Sequence, residues 1–224
     1  RAMNNFMGKI SRAGLILAII GGVLLWFALG DAIISFKPAR SFDDVLEDGL
    51  KAGDHVSGRV PYLLDYFGSL QTWTENSANN SRTPAKTSAR YYVLPAGENY
   101  AGLRVGTQNI PAAGNLVDET YGYLAGAGEP TTVLEIDARV VEMEEELVEL
   151  FRDEMKEYYD YTDQELESMG TPLMVEPRAF TAVRVICGLG LAFLLLGILL
   201  LVRRWRKISA AYRQAQAAYD PELG

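Results

Sequence analysis

Cysteine and histidine are almost absent from this chain. Of its 224 residues one is a cysteine, Cys187, and one is a histidine, His55. A single cysteine excludes an intrachain disulfide. A single histidine excludes multi-histidine metal sites, and any catalytic triad would have to be built on His55. We interpret Cys187 as a small apolar packing residue and His55 as an ordinary surface histidine.

The motifs of common enzyme chemistries are also missing. The sequence has no Gly-rich phosphate loop, no HExxH and no CxxC pair, and residues 102–106 do not form a nucleotide fingerprint. Acidic residues crowd 142–157 opposite an apolar stripe, which favours a solvated helix surface. The alternatives are that this surface binds a basic partner protein or a divalent cation. The spacing of an EF-hand calcium loop is absent. We therefore predict no catalytic site, no metal site and no cofactor.

Two long hydrophobic runs lie near the ends of the chain. Residues 13–30 and 185–202 contain no charged side chain. Each run extends to about 24 residues if one ionisable group is tolerated, and a helix of that length crosses a hydrocarbon layer about 30 Å thick. We predict transmembrane helices over 13–36 and 179–202. The alternative for the first run is a signal peptide cleaved near residues 28–30, but its apolar core exceeds the usual length of about 7–15 residues.

Basic residues beside the two runs predict the orientation. They precede the first run and follow the second, namely Arg1, Lys9, Arg12, Arg203, Arg204, Arg206, Lys207 and Arg213. The positive-inside rule then places both termini, 1–12 and 203–224, in the cytoplasm. The segment 37–178 is expected to be extracytoplasmic, on a protein of the plasma membrane.

The central segment is long enough for one hydrophobic core. It carries 12 basic and 26 acidic residues, so it is far more acidic than the chain as a whole, whose net charge is −8. Such an exterior argues against nucleic acid as a partner. The partner that we expect is the lipid bilayer, and a protein at the outer surface or within the membrane is a further candidate.

Apolar periodicity predicts an α+β domain with a mainly antiparallel sheet. A helix begins after the N-cap Ser41, and a short one begins after Thr162. The remaining expected elements are strands over 55–60, 90–94, 100–105 and 134–140, helices over 111–125 and 143–158, and an extended segment over 172–177.

Other parts of the domain are less regular in sequence. The aromatic-rich stretch 62–73 has no clear class, 75–89 resembles an exposed loop, and 95–99 resembles a five-residue hairpin loop. Strand and helix periodicity together predict one common buried set, which comprises Leu134, Ile136, Ala138, Val140, Met143, Leu147, Leu150 and Phe151.

Each predicted span contains features that indicate helix pairing. Asp31 and Arg184 lie at matching depth, and we expect them to form an interhelical ion pair, the alternative being that each reaches the outer headgroups alone. Gly14, Ala18 and Gly22 form a small-residue ridge at four-residue spacing, which is a candidate helix-packing face.

Several phrases resemble a family of uncharacterised two-span membrane proteins, mostly from Gram-positive gut bacteria. The phrases are KAGDHVSGRVP at 51–61, ARYYVLP at 89–95 and DETYGYL at 118–124. The family is a domain of unknown function, so the resemblance implies a location and a layout and transfers no catalytic residues.

These observations favour a non-enzymatic, membrane-anchored module whose outer domain binds a ligand or partner. One alternative is an accessory subunit of a larger membrane complex, expected if the small-residue ridge faces a foreign helix. Another is a carboxylate-dependent enzyme that acts on cell-envelope material, expected if a pocket holds two carboxylates of unequal pKa.

Overall fold

A computed structural model describes residues 12–76 and 81–219, with side chains for 12–75 and 83–214. Except for Arg12, the predicted cytoplasmic segment 1–12 lies outside the described residues, as does the end of the predicted tail. The described chain divides into two units. One consists of two long helices at the ends of the chain, and the other is the domain Phe36–Ala179.

The described residues form helices and strands in the following order along the chain. The helices are α1 (Arg12–Ser35), α2 (Phe42–Asp48), α3 (Ile110–Leu124), α4 (Glu145–Tyr158), α5 (Asp163–Ser168) and α6 (Phe180–Tyr219), with one 3-10 turn at Thr107–Asn109. The strands are β1 (His55–Arg59), β2 (Tyr66–Thr72), β3 (Glu75–Asn76), β4 (Ser81–Arg82), β5 (Lys86–Ala96), β6 (Asn99–Gly106), β7 (Glu135–Glu142) and β8 (Leu173–Pro177).

Six strands form one sheet in the order β1-β7-β8-β6-β5-β2. Every neighbouring pair is antiparallel except β6 and β8, which run parallel with Gly102 opposite Met174. The strands β3 and β4 pair separately. The predicted α+β domain with a mainly antiparallel sheet is confirmed.

Side chains alternate between the two faces of this sheet, and each face carries its own core. The first face is covered by residues of α2 and α3, with Phe42, Val45, Leu116 and Val117 packed on the strands. The second face is covered by α4 and α5, and its buried residues are Leu64, Phe67, Tyr91, Val93, Met143, Phe151, Met155, Leu166 and Met174. The sheet is therefore a middle layer between two groups of helices.

The predicted common core is divided between these two faces. Leu134, Ile136, Ala138 and Val140 are buried on the first face, whereas Met143 and Phe151 are buried on the second. The prediction that the two sets pack together is wrong, because α4 lies on the face opposite the buried side of β7. Leu150 is also not part of a core, since 47% of its surface is exposed.

Three irregular stretches are more ordered than the sequence indicated. The unclassified segment 62–73 contains the edge strand β2, and the extended segment 172–177 contains β8, which lies between β7 and β6. The predicted loop 75–89 is wrong at both ends, because β3 and β4 pair and β5 begins at Lys86. Cross-strand pairing outweighs the weak local preference of these polar residues.

The β5–β6 hairpin is tighter than predicted. Ala96 pairs with Asn99, so the connecting loop has two residues, not five. Gly97 begins the turn with a φ of 62°, and a positive φ at this position is what a type II′ turn requires.

Two short helices begin as the sequence predicts. The Asp44 amide donates to Ser41 Oγ and the Ser41 amide donates to Asp44 Oδ2, each at 3.0 Å. Thr162 and Glu165 form the same reciprocal pair at the start of α5. Both predicted N-caps are confirmed.

Candidate functional site

The small residues of α1 contact the backbone of α6. A Cβ added to Gly14 would lie 3.1 Å from the Gly197 carbonyl, and one added to Gly197 would lie 2.6 Å from the Ala18 amide nitrogen. A Cβ on Gly21 would lie 2.5 Å from the Leu194 nitrogen, whereas one on Gly22 would meet no atom within 4 Å. The predicted ridge and the observed contact therefore share Gly14 and Ala18 and differ at Gly22.

This difference follows from the heptad spacing of the contact. The buried residues of α1 are Gly14, Gly21, Ala28, Ala32 and Ser35. Gly14, Gly21, Ala28 and Ser35 are each seven residues apart, which is the repeat of two helices that wind around each other with a left-handed twist. A strict four-residue ridge drifts around the helix, so Gly22 turns away from α6.

Arg184 of α6 donates hydrogen bonds to Ser35 of α1. Its Nε lies 3.2 Å from Ser35 Oγ, and its Nη2 donates to the Ser35 carbonyl oxygen. Asp31 precedes Ser35 by one helical turn and therefore lies on the same side of α1. The pairing of Asp31 with Arg184 stays a prediction. Cys187, which follows Arg184 by three residues in α6, is half-buried.

His55 is buried, so its interpretation as an ordinary surface histidine is wrong. Its side chain is 7% exposed, with Nε2 2.7 Å from Asp137 Oδ1 and Nδ1 3.2 Å from the carbonyl oxygen of Lys37. Both ring nitrogens face oxygen acceptors, and the doubly protonated imidazolium can donate to both. The register of β1 against β7 brings His55 beside Asp137, a contact that a single strand pattern cannot reveal.

A row of polar side chains crosses the second face of the sheet. The strand pairings align Tyr91 with Arg104 and Arg139 with both Glu176 and His55. The parallel register of β6 and β8 pairs Leu103 with Val175, so the next residues along, Arg104 and Glu176, continue this row. Four strands and the edge strand β1 therefore contribute to one line of ionisable groups.

A groove lies along this row beside the first turns of α4. We call it the sheet groove, and its volume is about 420 Å³. Its charged lining residues are Arg104, Arg139, Glu142, Glu144 and Glu176, and the others are Leu70, Tyr91, Val141, Leu147 and Met174. A pocket of this size with a few polar groups on an apolar floor is typical of small-molecule sites.

The carboxylate of Glu176 is held by arginine. Arg139 donates to Glu176 Oε2 from Nε at 3.1 Å and from Nη2 at 2.9 Å, and Arg178 Nη2 lies 3.6 Å from the same oxygen. Two guanidinium groups therefore converge on one partly buried carboxylate. This arrangement fixes Arg139 and Glu176 as a rigid end of the groove.

Tyr91 and Arg104 form the middle of the groove. Burial raises the pKa of the Tyr91 phenol, the nearby guanidinium of Arg104 opposes the shift, and the carboxylates of Glu144 and Glu176 add to it. The phenol is therefore a neutral donor at neutral pH. Arg104 is partly buried, and no side chain or carbonyl of the described residues accepts a hydrogen bond or forms an ion pair with it.

The acidic groups elsewhere do not gather as metal ligands. In the part of the chain that the structure describes, no three or more His, Cys, Asp or Glu side chains are placed to hold a metal ion. Glu145, Glu146 and Glu149 lie exposed on α4. A second cavity, of about 440 Å³, lies beside the β5–β6 turn and is lined by Glu47, Asp48 and Glu98 among others.

Sequence reasoning did not find the sheet groove, although one signal was present. Leu103 and Val105 are buried on the first face, so alternation places Arg104 on the second. Which residues of other strands lie beside Arg104 depends on β8, whose place in the sheet was not predicted. Among the aromatic residues of 62–73 and of β5, Phe67, Tyr91 and Tyr92 are buried, whereas Tyr66 and Trp73 are about half exposed.

Comparison with known proteins gives one match. No curated protein and no solved structure matches the chain. A family model described as a domain of unknown function, DUF8577, matches residues 3–203, which is most of the chain. The match includes α1, the domain that carries the sheet groove and the apolar part of α6. The chain therefore belongs to the DUF8577 family.

Proposed function

We propose that this protein is a membrane-anchored module whose extracytoplasmic domain binds a small amphipathic ligand in the sheet groove. Both α1 and α6 are long and apolar enough to cross a membrane. In their most apolar stretches only 17% and 11% of the residues are buried, whereas the core helix of a soluble protein is mostly buried. Trp26 and Phe27, which are 83% and 80% exposed, are suited to contact with lipid.

The observation that carries the binding function is the sheet groove itself. Its floor is formed by five paired strands, so its side chains are held on a rigid scaffold. It offers apolar surface at Leu147 and Met174 next to Arg104, which no residue of the described chain neutralises. A guanidinium without an acidic partner over a rigid sheet is suited to bind an anionic group of a ligand.

The orientation and source of the protein are part of this proposal. Basic residues follow the second apolar run, with Arg203, Arg204 and Arg206 within the first turn and a half, which favours cytoplasmic termini. The acidic composition of the central domain suits an exterior location. Resemblance to two-span proteins of Gram-positive gut bacteria supports a bacterial cell membrane.

The topology is tested by cysteine labelling in intact cells. Cys187→Ala removes the native thiol, and Lys51→Cys or Gln214→Cys then introduces one exposed thiol on the domain or on the end of α6. We expect an impermeant maleimide to label Lys51→Cys in intact cells and Gln214→Cys only after lysis. The reverse pattern would reject the topology.

The binding function is tested by filling the groove. The full chain in detergent micelles is screened by thermal shift against small amphipathic molecules. Val141→Trp occupies the groove, and Leu124→Trp adds the same ring at an exposed position of α3. We expect hits to disappear in Val141→Trp and to persist in Leu124→Trp. Hits that persist in both variants would place binding elsewhere and contradict the proposal.

One observation favours a second candidate, an accessory subunit of a membrane complex. Gly22 does not contact α6, so a helix of another protein could approach α1 closely at this position. Gly22→Leu would block that approach without changing the contact with α6. Loss of a partner that copurifies with the wild-type protein in mild detergent would support this candidate.

A further inference from the structure

We propose that the sheet groove binds the carboxylate of an amino acid or short peptide through Arg104 and Tyr91. This inference rests on the proposed binding function and names its ligand class. Its basis is a pair of hydrogen-bond donors without a partner among the described residues, together with the acids that also line the groove.

Arg104 is the first donor. It lies in β6, partly buried, and lines the groove. Glu176 follows it in the row, but the carboxylate of Glu176 contacts Arg139 and Arg178. The guanidinium of Arg104 therefore presents its planar fork to the groove, and that fork matches a carboxylate with two parallel hydrogen bonds.

Tyr91 is the second donor. It is the direct cross-strand neighbour of Arg104, and its ring packs on Phe67 with the centroids 6.1 Å apart. The phenol lines the groove and has no hydrogen-bond partner among the described residues. Because the phenol is neutral, it can donate to an anion that Arg104 binds.

The other charges of the groove select the kind of anion. Glu142 and Glu144 line the groove, and no basic side chain of the described residues forms an ion pair with them. Together with Glu176 they disfavour a doubly charged phosphate and favour a ligand that carries an ammonium group beside its carboxylate. Leu70, Leu147 and Met174 offer apolar surface to a side chain. An amino acid or a short peptide has all three features.

The inference is tested with four probes on the full chain in detergent micelles. They are the dipeptide Leu-Phe, its C-terminal amide, its N-acetyl derivative and phenyl phosphate, each measured by isothermal titration calorimetry. We expect Leu-Phe to bind, the amide to bind at least about tenfold more weakly, and the N-acetyl derivative to lose several-fold in affinity. Phenyl phosphate should bind more weakly than Leu-Phe.

Variants assign the effect to the two donors. Arg104→Gln should lower the affinity for Leu-Phe about tenfold, and Arg104→Lys should lower it less. Tyr91→Phe should lower it several-fold. Lys86→Gln removes the same charge at an exposed position outside the groove and should leave the affinity unchanged. Thermal unfolding of each variant verifies that it is folded, and the comparison of acid with amide on the wild-type protein does not depend on any variant.

The outcomes separate this inference from the proposed function. Carboxylate recognition would be overturned if Leu-Phe and its amide bound with equal affinity, or if Arg104→Gln and Lys86→Gln had equal effects. The proposed binding function of the groove would still stand. Tighter binding of phenyl phosphate would overturn the choice of anion. If no probe binds and the wider screen gives no ligand sensitive to Val141→Trp, both proposals fail.

Discussion

Arg184 of α6 donates to both the side-chain oxygen and the carbonyl oxygen of Ser35 at the end of α1. Carbonyls in the last turn of a helix lack an intrahelical partner, so the guanidinium caps this end of α1. The contact also fixes which part of α6 lies beside which part of α1. It leaves Arg184 one helical turn from the Asp31 position, where we expect its counter-ion.

A double-mutant cycle tests the predicted pairing of Asp31 with Arg184. Asp31→Asn and Arg184→Gln should show a coupling energy of about 0.5–3 kcal/mol in the stability of the helix pair. Ser35→Ala, which removes one acceptor of Arg184, should destabilise the pair independently of Asp31. Unfolding of the full chain in mixed micelles measures all three effects. Strictly additive effects of the first two substitutions would exclude the ion pair.

Two adjacent glycines of α1 give a matched test of the helix contact. Gly21→Ala should destabilise the pair by about 1–3 kcal/mol, because its Cβ would meet the backbone atoms Leu194 N at 2.5 Å and Gly190 O at 2.6 Å, which no rotamer change can relieve. Gly22→Ala should change stability by less than about 0.5 kcal/mol. The same micelle unfolding assay compares the two variants, and a larger effect at Gly22 would contradict the observed contact between α1 and α6.

Glu119 should make the domain sensitive to acid. Its carboxylate accepts the Thr131 amide at 2.6 Å and the Thr132 amide at 2.8 Å, and hydrogen bonds from Thr132 and Thr131 lower the pKa of this side chain. A lowered pKa contributes stability that is complete above the unfolded value of 4.5 and is lost as pH falls through the folded value.

The test replaces this carboxylate with an amide. Glu119→Gln should lower the unfolding temperature at neutral pH and make its decline between about pH 5 and pH 3 shallower than in the wild type. Glu149→Gln, at an exposed position of α4, is the control and should leave the slope unchanged. An identical pH slope in the two variants would refute the assignment to Glu119.

Asp137 should stabilise the domain through His55. Asp137→Asn weakens a charge-assisted contact to a buried imidazole, and we expect a loss of about 1–2 kcal/mol in the free energy of unfolding. Asp153→Asn on the exposed side of α4 removes the same charge and should change stability by less than about 0.5 kcal/mol. Urea denaturation measures both. Equal effects would mean that the His55–Asp137 contact contributes nothing specific.

Local signals predicted most of the regular elements. Caps at Ser41 and Thr162 are read from a few adjacent residues, and the alternation at 134–140 is strong enough to identify β7 without its partners. Positions that depend on non-local pairing were missed. The polar residues at the start of β5 have little intrinsic preference for a strand, and pairing with β2 keeps them extended.

The sheet groove belongs to this second class. Arg104, Glu176 and Arg139 are far apart in the chain, and they become neighbours only because β8 runs between β6 and β7. The same limit explains Leu150, which has the correct helical spacing but lies at the margin of α4's contact with the sheet. Periodicity identifies an apolar side of a helix but not how much of that side is covered.

The central place of β8 has a consequence for the order in which the domain is made. β8 is the last strand of the described residues, yet both of its edges are paired, to β7 on one side and to β6 on the other. While a ribosome is still synthesising the chain, β1 with β7 and β2 with β5 and β6 are two fragments that share no paired edge. The two fragments join into one sheet only after residues 173–177 have emerged from the ribosome. Synthesis of α6 follows directly. Completion of the domain is thereby tied in time to the appearance of the second hydrophobic helix.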